Sequence, residues 1–185
     1  MKFNVASRLA YEVRDTTVFL LNIEAAALRN QKILTERLNL TPAVAVDRHE
    51  LDGGTRLVRV VVEPGTFEVA YAATIDLSMY DADPASLSET PVAELPLEVT
   101  PFLNPSRYCQ SDRLARFAYR EFGALPPGHQ RVTAICNWIY ENVDYLSGSS
   151  NSETSAYDTM VQRAGVCRDF AHLGIAFCRA LSIPA

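Results

Sequence analysis

Residues 165–173 read GVCRDFAHL and open the last helix that the sequence predicts. From Cys167 to Leu181 apolar residues occupy all sides of this helix, and a helix that is apolar all round is expected at the centre of a folded unit. A shorter helix that reaches Arg163 is predicted just before it, and Gly165 is expected to end that helix. Cys167 is therefore predicted to stand at the start of a central, buried helix.

Two more helices are predicted upstream by apolar residues at helical spacing. The first begins at Ser111 or Asp112 and ends at Gly123, and the second runs from about His129 to Asn142. The second part of the chain is therefore predicted to be helical.

The first half of the chain has a different pattern, short β-branched and aromatic runs that turn residues interrupt, which is typical of an all-β unit. Asp52–Gly54 and Glu63–Gly65 supply turn residues between such runs, and both are predicted to close hairpins. Phe67, Val69 and Tyr71 alternate with polar or small residues, which indicates one buried face. We therefore predict an antiparallel β-sandwich with six candidate strands: Phe3–Val13, Thr17–Ile23, Gln31–Leu40, Val44–Leu51, Thr55–Val62 and Thr66–Leu77.

Five prolines lie between Asp83 and Ser106, a density that is predicted to exclude a helix and to disfavour a central strand. Because Pro-rich segments are semi-rigid and extended, residues 83–106 are interpreted as a linker between domains. The chain is therefore predicted to be an α+β protein, with a β-sandwich domain at residues 1–100 and a helical domain at residues 107–185.

Composition and charge narrow the classes of function. Apolar residues make up 48% and charged residues 21% of the 185 residues, which is typical of a folded globular protein. The net charge is -5 and Lys and Arg are scattered along the sequence, so no nucleic-acid partner is expected. No stretch approaches the roughly 20 apolar residues of a membrane-spanning helix, and the N-terminal residues lack the pattern of an export signal. No membrane partner is therefore expected, and the predicted location is the cytoplasm.

The four cysteines and three histidines do not form a metal-binding pattern. No CxxC pair occurs and no histidine lies at a zinc-finger spacing, so neither a metal nor another cofactor is expected. In the reducing cytoplasm the cysteines are expected to be free thiols. Cys109, Cys136 and Cys178 are predicted to be small buried apolar residues, the last two on core-facing helical positions. Cys167 is the candidate reactive thiol.

Residues 154–173 resemble the nucleophile segment of bacterial transglutaminase-like proteins, and residues 165–173 reproduce the core string of that segment in full. Residues 137–145 are similar to the second core helix of the family, and residues 105–112 resemble the segment that enters the core. The β-rich first half looks like the N-terminal domain that often precedes this core. On this resemblance the chain is identified as a member of the transglutaminase-like cysteine protease superfamily.

The resemblance implies a papain-like core in which Cys167, at the N-terminus of a helix, attacks the amide carbonyl of a protein or peptide substrate. The local physics agrees, because the partial positive charge of a helix N-terminus favours a thiolate and its free N–H groups can bind an oxyanion. Gly165, which has no side chain, is expected to leave the approach to the thiol open. The acyl group could then pass to water, as in a protease or amidase, or to an amine, and the sequence leaves both alternatives open.

In this family the catalytic histidine and aspartate lie several tens of residues after the cysteine, whereas 18 residues follow Cys167 in the 185-residue chain. His172 lies five residues further along the same helix, rotated by about 140° from Cys167, and is predicted to be a packed core histidine. Nothing in the surrounding sequence marks His49 or His129 as a base. The chain is therefore expected to be a truncated form that has no amide acyl-transfer activity alone.

Two alternatives to an acyl-transfer enzyme are kept, a non-catalytic interaction module and a redox thiol. Without the sheet that packs on the nucleophile helix in this family, the apolar surface of that helix would be exposed, so a homo-oligomer that covers it is one expected form of association. Arg168 and Asp169 are expected to cap the helix or to pair, and Trp138 is expected to pack in the core. Residues 148–152 are expected to form a flexible loop.

Overall fold

The chain forms two compact units, Met1–Asp81 and Ala82–Ala185. A computed structural model describes all 185 residues. The first unit contains β-strands and the second is mainly helical, so the predicted α+β class is confirmed. No helix in either unit is long and apolar enough to cross a membrane.

The first unit is built from two three-stranded antiparallel sheets. Its strands are β1 (Lys2–Val13), β2 (Thr17–Leu21), β3 (Gln31–Thr41), β4 (Asp47–Glu50), β5 (Arg56–Val62) and β6 (Gly65–Leu77). One sheet has the order β1-β6-β3 and the other has the order β2-β5-β4. The strands lie close to the six predicted ones, except that β4 begins at Asp47 rather than at Val44.

The core of the first unit lies between the facing sides of its two sheets. Val58, Val60 and Val62 recur at every second residue of β5, and none is more than 1% exposed. Phe67 and Val69 of β6 belong to the same buried cluster. The period of two predicts a strand with one buried face, and the packing of both sheets into one core confirms the predicted β-sandwich.

Only one of the two predicted hairpins forms. β4 and β5 are antiparallel neighbours, and in the turn between them the Leu51 N–H donates to the Thr55 carbonyl at 2.8 Å. The prediction for Glu63–Gly65 is wrong, because β5 and β6 belong to different sheets. This turn instead carries the chain from one sheet to the other, with Gly65 at a φ of 139°.

An ion-pair network links strands of both sheets. The Glu24 carboxylate, whose side chain is 2% exposed, pairs with Arg48 at 3.0 Å and with Arg56 at 2.9 Å. Arg56 also pairs with Glu36 of the other sheet at 2.8 Å, and the Tyr71 O–H donates to Glu36 at 2.9 Å. Because Arg56 hydrogen-bonds Glu36, the pKa of that carboxyl lies below its usual range.

The second unit contains four helices and a short pair of strands. They are α1 (Ser111–Phe122), α2 (His129–Asn142), β7 (Asp144–Tyr145), α3 (Ala156–Gln162), β8 (Ala164–Gly165) and α4 (Cys167–Ala180). All four predicted helices are therefore present. α4 contacts α1, α2 and α3, and its Leu173, Ala176 and Phe177 are fully buried. The predicted central place of α4 is confirmed, although Ala171 on its open side is exposed.

Aromatic rings from three helices fill the core of the second unit. Phe117 and Phe122 of α1, Trp138 of α2 and Phe177 of α4 have ring centroids 5.0–6.4 Å apart. The Arg163 guanidinium lies over the Trp138 ring, 4.7 Å from its centroid. The expected core packing of Trp138 is therefore confirmed.

The Pro-rich segment packs into the second unit. It contains three short 3₁₀-helices, Pro84–Ser86, Val92–Glu94 and Leu97–Leu103. The prediction that the prolines of this segment exclude a helix is therefore wrong. Pro84 begins the first of these turns, where no N–H is needed, and Pro101 lies within the third. Within the segment, Glu89 pairs with the largely buried Arg131 of α2 at 3.2 Å. Along the chain, the first unit ends at Asp81, so the whole of the predicted linker, residues 83–106, belongs to the second unit.

Candidate active site

The candidate nucleophile lies at the N-terminus of the central helix. Cys167 is the first residue of α4, and its side chain is exposed. The N–H groups of Asp169 and Phe170 donate to the Val166 carbonyl at 2.9 and 3.1 Å, whereas those of Cys167 and Arg168 have no acceptor in the chain. Free N–H groups at a helix N-terminus carry a partial positive charge. An anion on the sulfur, or one next to it, is therefore stabilised at this position.

A buried carboxylate binds the residue before the thiol and the residue after it. Asp169 is 0% exposed; its Oδ2 accepts the Val166 N–H at 2.8 Å and its Oδ1 accepts from Arg168 at 3.3 Å. Burial raises the pKa of Asp169, but hydrogen bonds from Val166, Ser150 and Arg168 outweigh burial, so this pKa lies below its usual range. The expected capping role is confirmed. An acidic residue in the first helical turn is the sequence signal for such a cap. The same signal does not predict that the Asp169 carboxylate is completely buried.

Gly165 is required by the packing around this carboxylate. A Cβ atom at residue 165 would lie 2.7 Å from the Cβ of Asp169 and 3.3 Å from the Cγ2 of Thr159. The expectation that this glycine opens the approach to the thiol is therefore wrong, because the missing side chain makes room for Asp169 instead. Nor does Gly165 end α3, which ends at Gln162 with Arg163 in the left-handed conformation at a φ of 58°.

Arg168 connects the start of α4 to the loop between β7 and α3. Its Nη2 donates to the Asn151 carbonyl and lies 3.5 Å from Ser150 Oγ. The same loop is held by Tyr108, whose O–H donates to the Ser152 carbonyl at 2.8 Å. The sequence predicts a flexible loop here, whereas the structure ties it to the residue that follows the thiol. This anchoring depends on contacts between distant residues, so no local sequence signal indicates it.

A short parallel strand pair sets where α4 begins. β7 pairs with β8, and beyond the pair the Leu146 N–H donates to the Gly165 carbonyl at 3.0 Å. Tyr145 of β7 packs on Phe170 of α4, with ring centroids 5.9 Å apart. Because Cys167 comes two residues after β8, the strand pair fixes the first turn of the helix that presents the thiol.

The three histidines do not approach the candidate nucleophile through hydrogen bonds. His172 stacks on Tyr108 with ring centroids 5.2 Å apart and 6° between the ring planes, and its buried Nδ1 has no hydrogen-bond partner. Burial lowers the pKa of His172, which favours the neutral ring. His129 begins α2 and His49 lies on β4 of the first unit. The packed role that the sequence predicts for His172 is confirmed.

The other three cysteines differ in their exposure. Cys109 and Cys178 are buried as predicted, and burial raises the pKa of Cys178 to about 11. Cys136 is exposed, so its predicted burial is wrong. It lies one helical step of about 100° from the fully buried Ile135, which places it outside the buried stripe of α2.

Comparisons with known proteins agree with this architecture. Residues 1–98 match the family model of the bacterial transglutaminase N-terminal domain, and residues 117–185 match that of the transglutaminase-like superfamily. A crystal structure of a candidate cysteine protease from Cytophaga hutchinsonii is similar to the whole chain, with a TM-score of 0.94 and 49% identity, and the similarity covers 65% of that protein.

Uncharacterised mycobacterial proteins are also relatives. One from Mycobacterium leprae is 24% identical over 93% of this chain and 67% of its own length. One from Mycobacterium tuberculosis is 27% identical over 100% of this chain and 63% of its own length. The chain thus spans about two thirds of the length of the proteins that it matches. The two family matches, which between them include both folded units, show that the chain belongs to the bacterial transglutaminase-like family of thiol enzymes.

Proposed function

We propose that this chain carries the nucleophile of an enzyme that transfers acyl groups from protein or peptide amides through Cys167. The observation that supports this proposal most is an exposed thiol at the first residue of α4, next to two N–H groups without acceptors. Cys109 and Cys178 are buried, and Cys136 lies inside α2, where backbone N–H groups are used by the helix. Cys167 alone combines access with a favourable electrostatic environment.

In the proposed reaction a general base removes the proton from the Cys167 sulfur, and the thiolate attacks the carbonyl carbon of the amide. The carbonyl oxygen becomes an oxyanion, which the N–H groups of Cys167 and Arg168 are placed to bind. The C–N bond then breaks, the amine leaves with the proton from the base, and a thioester remains on the sulfur. Water or an amine attacks this thioester, gives its proton to the base and frees the thiol.

The described residues place no general base at the Cys167 thiol. No histidine hydrogen-bonds Cys167, and His172 stacks on Tyr108 instead. Since the chain spans about two thirds of the length of its relatives, we propose that the base and the group that orients it belong to the remaining part of the family protein. We therefore expect the 185-residue chain alone to accept an acyl group from an activated ester and to hydrolyse no amide.

Alkylation of two matched variants tests the reactivity of this thiol. Cys136→Ser leaves Cys167 as the exposed thiol, and Cys167→Ser leaves Cys136, which serves as the control. At pH 7 we expect Cys167 to react with iodoacetamide about tenfold faster than Cys136, because the thiolate is the reactive form and a helix N-terminus favours it. Equal rates for the two variants would contradict the electrostatic argument.

An activated ester tests acyl transfer itself. With p-nitrophenyl acetate we expect one rapid equivalent of nitrophenolate and an acetyl group on Cys167, located by mass spectrometry of proteolytic peptides. Cys136→Ser should retain both results, and Cys167→Ser should lose both. Equal acetylation of Cys136 and Cys167 would contradict the assignment of Cys167 as the nucleophile. Amide hydrolysis by the chain alone would show instead that the base lies within these 185 residues.

A further inference from the structure

A pocket with three arginines lies between α1 and α3, and it shares no residue with the candidate active site. Arg113, Arg116 and Arg120 line it from α1, at positions i, i+3 and i+7. At 100° per residue this spacing places them within an arc of about 60° on one side of the helix. Although the basic residues are scattered along the sequence, the helix gathers these three around a pocket of about 350 Å³.

The positive charge of this cluster is not balanced by ion pairs. None of the three guanidinium groups forms a salt bridge, and no carboxylate lines the pocket. Asp158 of α3 acts on Arg113 through its charge, but its Oδ2 is occupied by the N–H and the O–H of Ser155 at the helix cap. Like charges three or four residues apart weaken a helix. Asp112 lies four residues before Arg116 and offsets part of this repulsion, and an anionic ligand in the pocket would offset more of it.

The pocket also has an apolar part that includes an aromatic ring. Leu114 and Phe117 of α1 line it together with Tyr157 and Met160 of α3. The Arg113 guanidinium lies over the Tyr157 ring, with its Cζ 3.5 Å from the ring centroid. Stacking orders a guanidinium and leaves its N–H edges available to a carboxylate. The pocket therefore offers ordered positive charge next to an apolar surface.

We propose that this pocket binds an acidic segment of a protein or peptide. The carboxylates of the segment pair with Arg116 and Arg120, and a neighbouring apolar side chain packs on Phe117 and Met160. Nucleic acid fits the observations less well, because it requires an extended basic surface and the chain has a net charge of -5. Binding requires no reaction at Cys167, so the proposal is independent of the acyl-transfer function.

The test uses the full 185-residue chain with Cys167→Ser, which removes acyl transfer from the measurement. The probe is a fluorescein-labelled peptide in which leucine is flanked by glutamates, and its neutral counterpart carries glutamines instead. Binding is followed by fluorescence anisotropy at low salt. We expect Arg116→Gln and Arg120→Gln each to weaken binding of the acidic peptide roughly tenfold. Without these substitutions, the neutral peptide should bind at least roughly tenfold more weakly than the acidic peptide. Arg14→Gln removes the same charge from an exposed arginine of the first unit, and we expect it to change the affinity less than about twofold.

Several outcomes would overturn the proposal. Equal losses from Arg14→Gln and Arg116→Gln would show attraction to the whole chain rather than to the pocket. Equal affinity for the acidic and neutral peptides would exclude recognition of carboxylates. If inorganic phosphate displaced the acidic peptide at a concentration equal to that of the peptide, the site would be one for any anion and not for a peptide. Unchanged urea midpoints of the variants, read from Trp138 fluorescence, exclude unfolding as the cause of a loss.

Discussion

Replacing Asp169 by asparagine should destabilise the second unit by about 2 kcal/mol, because the side chain keeps its shape but loses its charge. The carboxylate is 0% exposed and accepts hydrogen bonds from the Val166 N–H and from Arg168. An asparagine oxygen can still accept from Val166. Its amide NH₂ would then face the guanidinium, so that two donors meet in a buried site.

Two separate losses contribute to this magnitude. A negative charge in the first turn of a helix stabilises it by roughly 0.3–1 kcal/mol through the helix dipole. A hydrogen bond to a buried charged group is worth about 1.5–3 kcal/mol, and a neutral acceptor retains about half of that. Together these losses amount to about 1–2.5 kcal/mol, which is a large share of the stability of a small folded unit.

Urea unfolding followed by Trp138 fluorescence measures the effect, because the only tryptophan packs in the core of the second unit. With an m-value of about 1–2 kcal/mol/M, the midpoint of Asp169→Asn should fall by roughly 1–2 M. Asp112→Asn is the matched control, since it makes the same change in the first turn of α1 at an exposed side chain. If the two variants lower the midpoint equally, the argument from burial is refuted.

The same carboxyl gives a pH dependence with a defined sign. The pKa of Asp169 is lower in the folded chain than in the unfolded chain. Its stabilising contribution is therefore complete above about pH 4 and is lost as the pH falls through the folded-state pKa. The urea midpoints of the wild type and of Asp169→Asn should accordingly converge below about pH 4. Midpoints that stay equally far apart as the pH falls well below the usual pKa of a carboxyl would show that another group is responsible.

Gly165→Ala should lower the free energy of unfolding of the second unit by roughly 1–3 kcal/mol, because its methyl group would meet a buried side chain at 2.7 Å; an unchanged tryptophan-monitored urea midpoint would contradict this. Arg56→Ala should destabilise the first unit by about 3 kcal/mol, since it takes one of two ion-pair partners from the buried Glu24. Urea unfolding followed by circular dichroism of the strands measures that loss, and a change below about 1 kcal/mol would count against the network. Iodoacetamide should label Cys136 in the native chain, whereas Cys178, with its pKa raised to about 11 by burial, should react only in denaturant; native labelling of both would disprove the assignment of exposure.

Elements that carry their own periodic signal are the ones that the sequence predicts well. Phe67, Val69 and Tyr71 recur at every second residue of β6, and that period alone identifies a strand with one buried face. The string that follows Cys167 likewise has the spacing of a helix with apolar residues on several sides. Because these patterns depend on local geometry, they predict the element and its approximate ends without knowledge of the fold.

Features that depend on the partner of each element are not predictable in this way. Glu63–Gly65 clearly reverses the chain, but only the packing of the two sheets decides that β6 pairs with β1 and β3 rather than with β5. The burial of Asp169 and the crowding at Gly165 depend on how α3 meets α4. The exposure of Cys136 depends on which side of α2 is covered by its neighbours. The three arginines of α1 likewise form a pocket only because α3 lies beside them.

A single guanidinium joins the reactive end of α4 to the loop next to it. Arg168 binds the Asn151 carbonyl as well as the Asp169 carboxylate, so movement at either of these would reach the residue adjacent to the sulfur. Residues 147–149 come before this junction, and their hydrogen bonds run back to Leu146 alone. A library that randomises those three positions would therefore change the loop while the thiol keeps its place, whereas exchanges at residue 168 would disturb the loop and the nucleophile together.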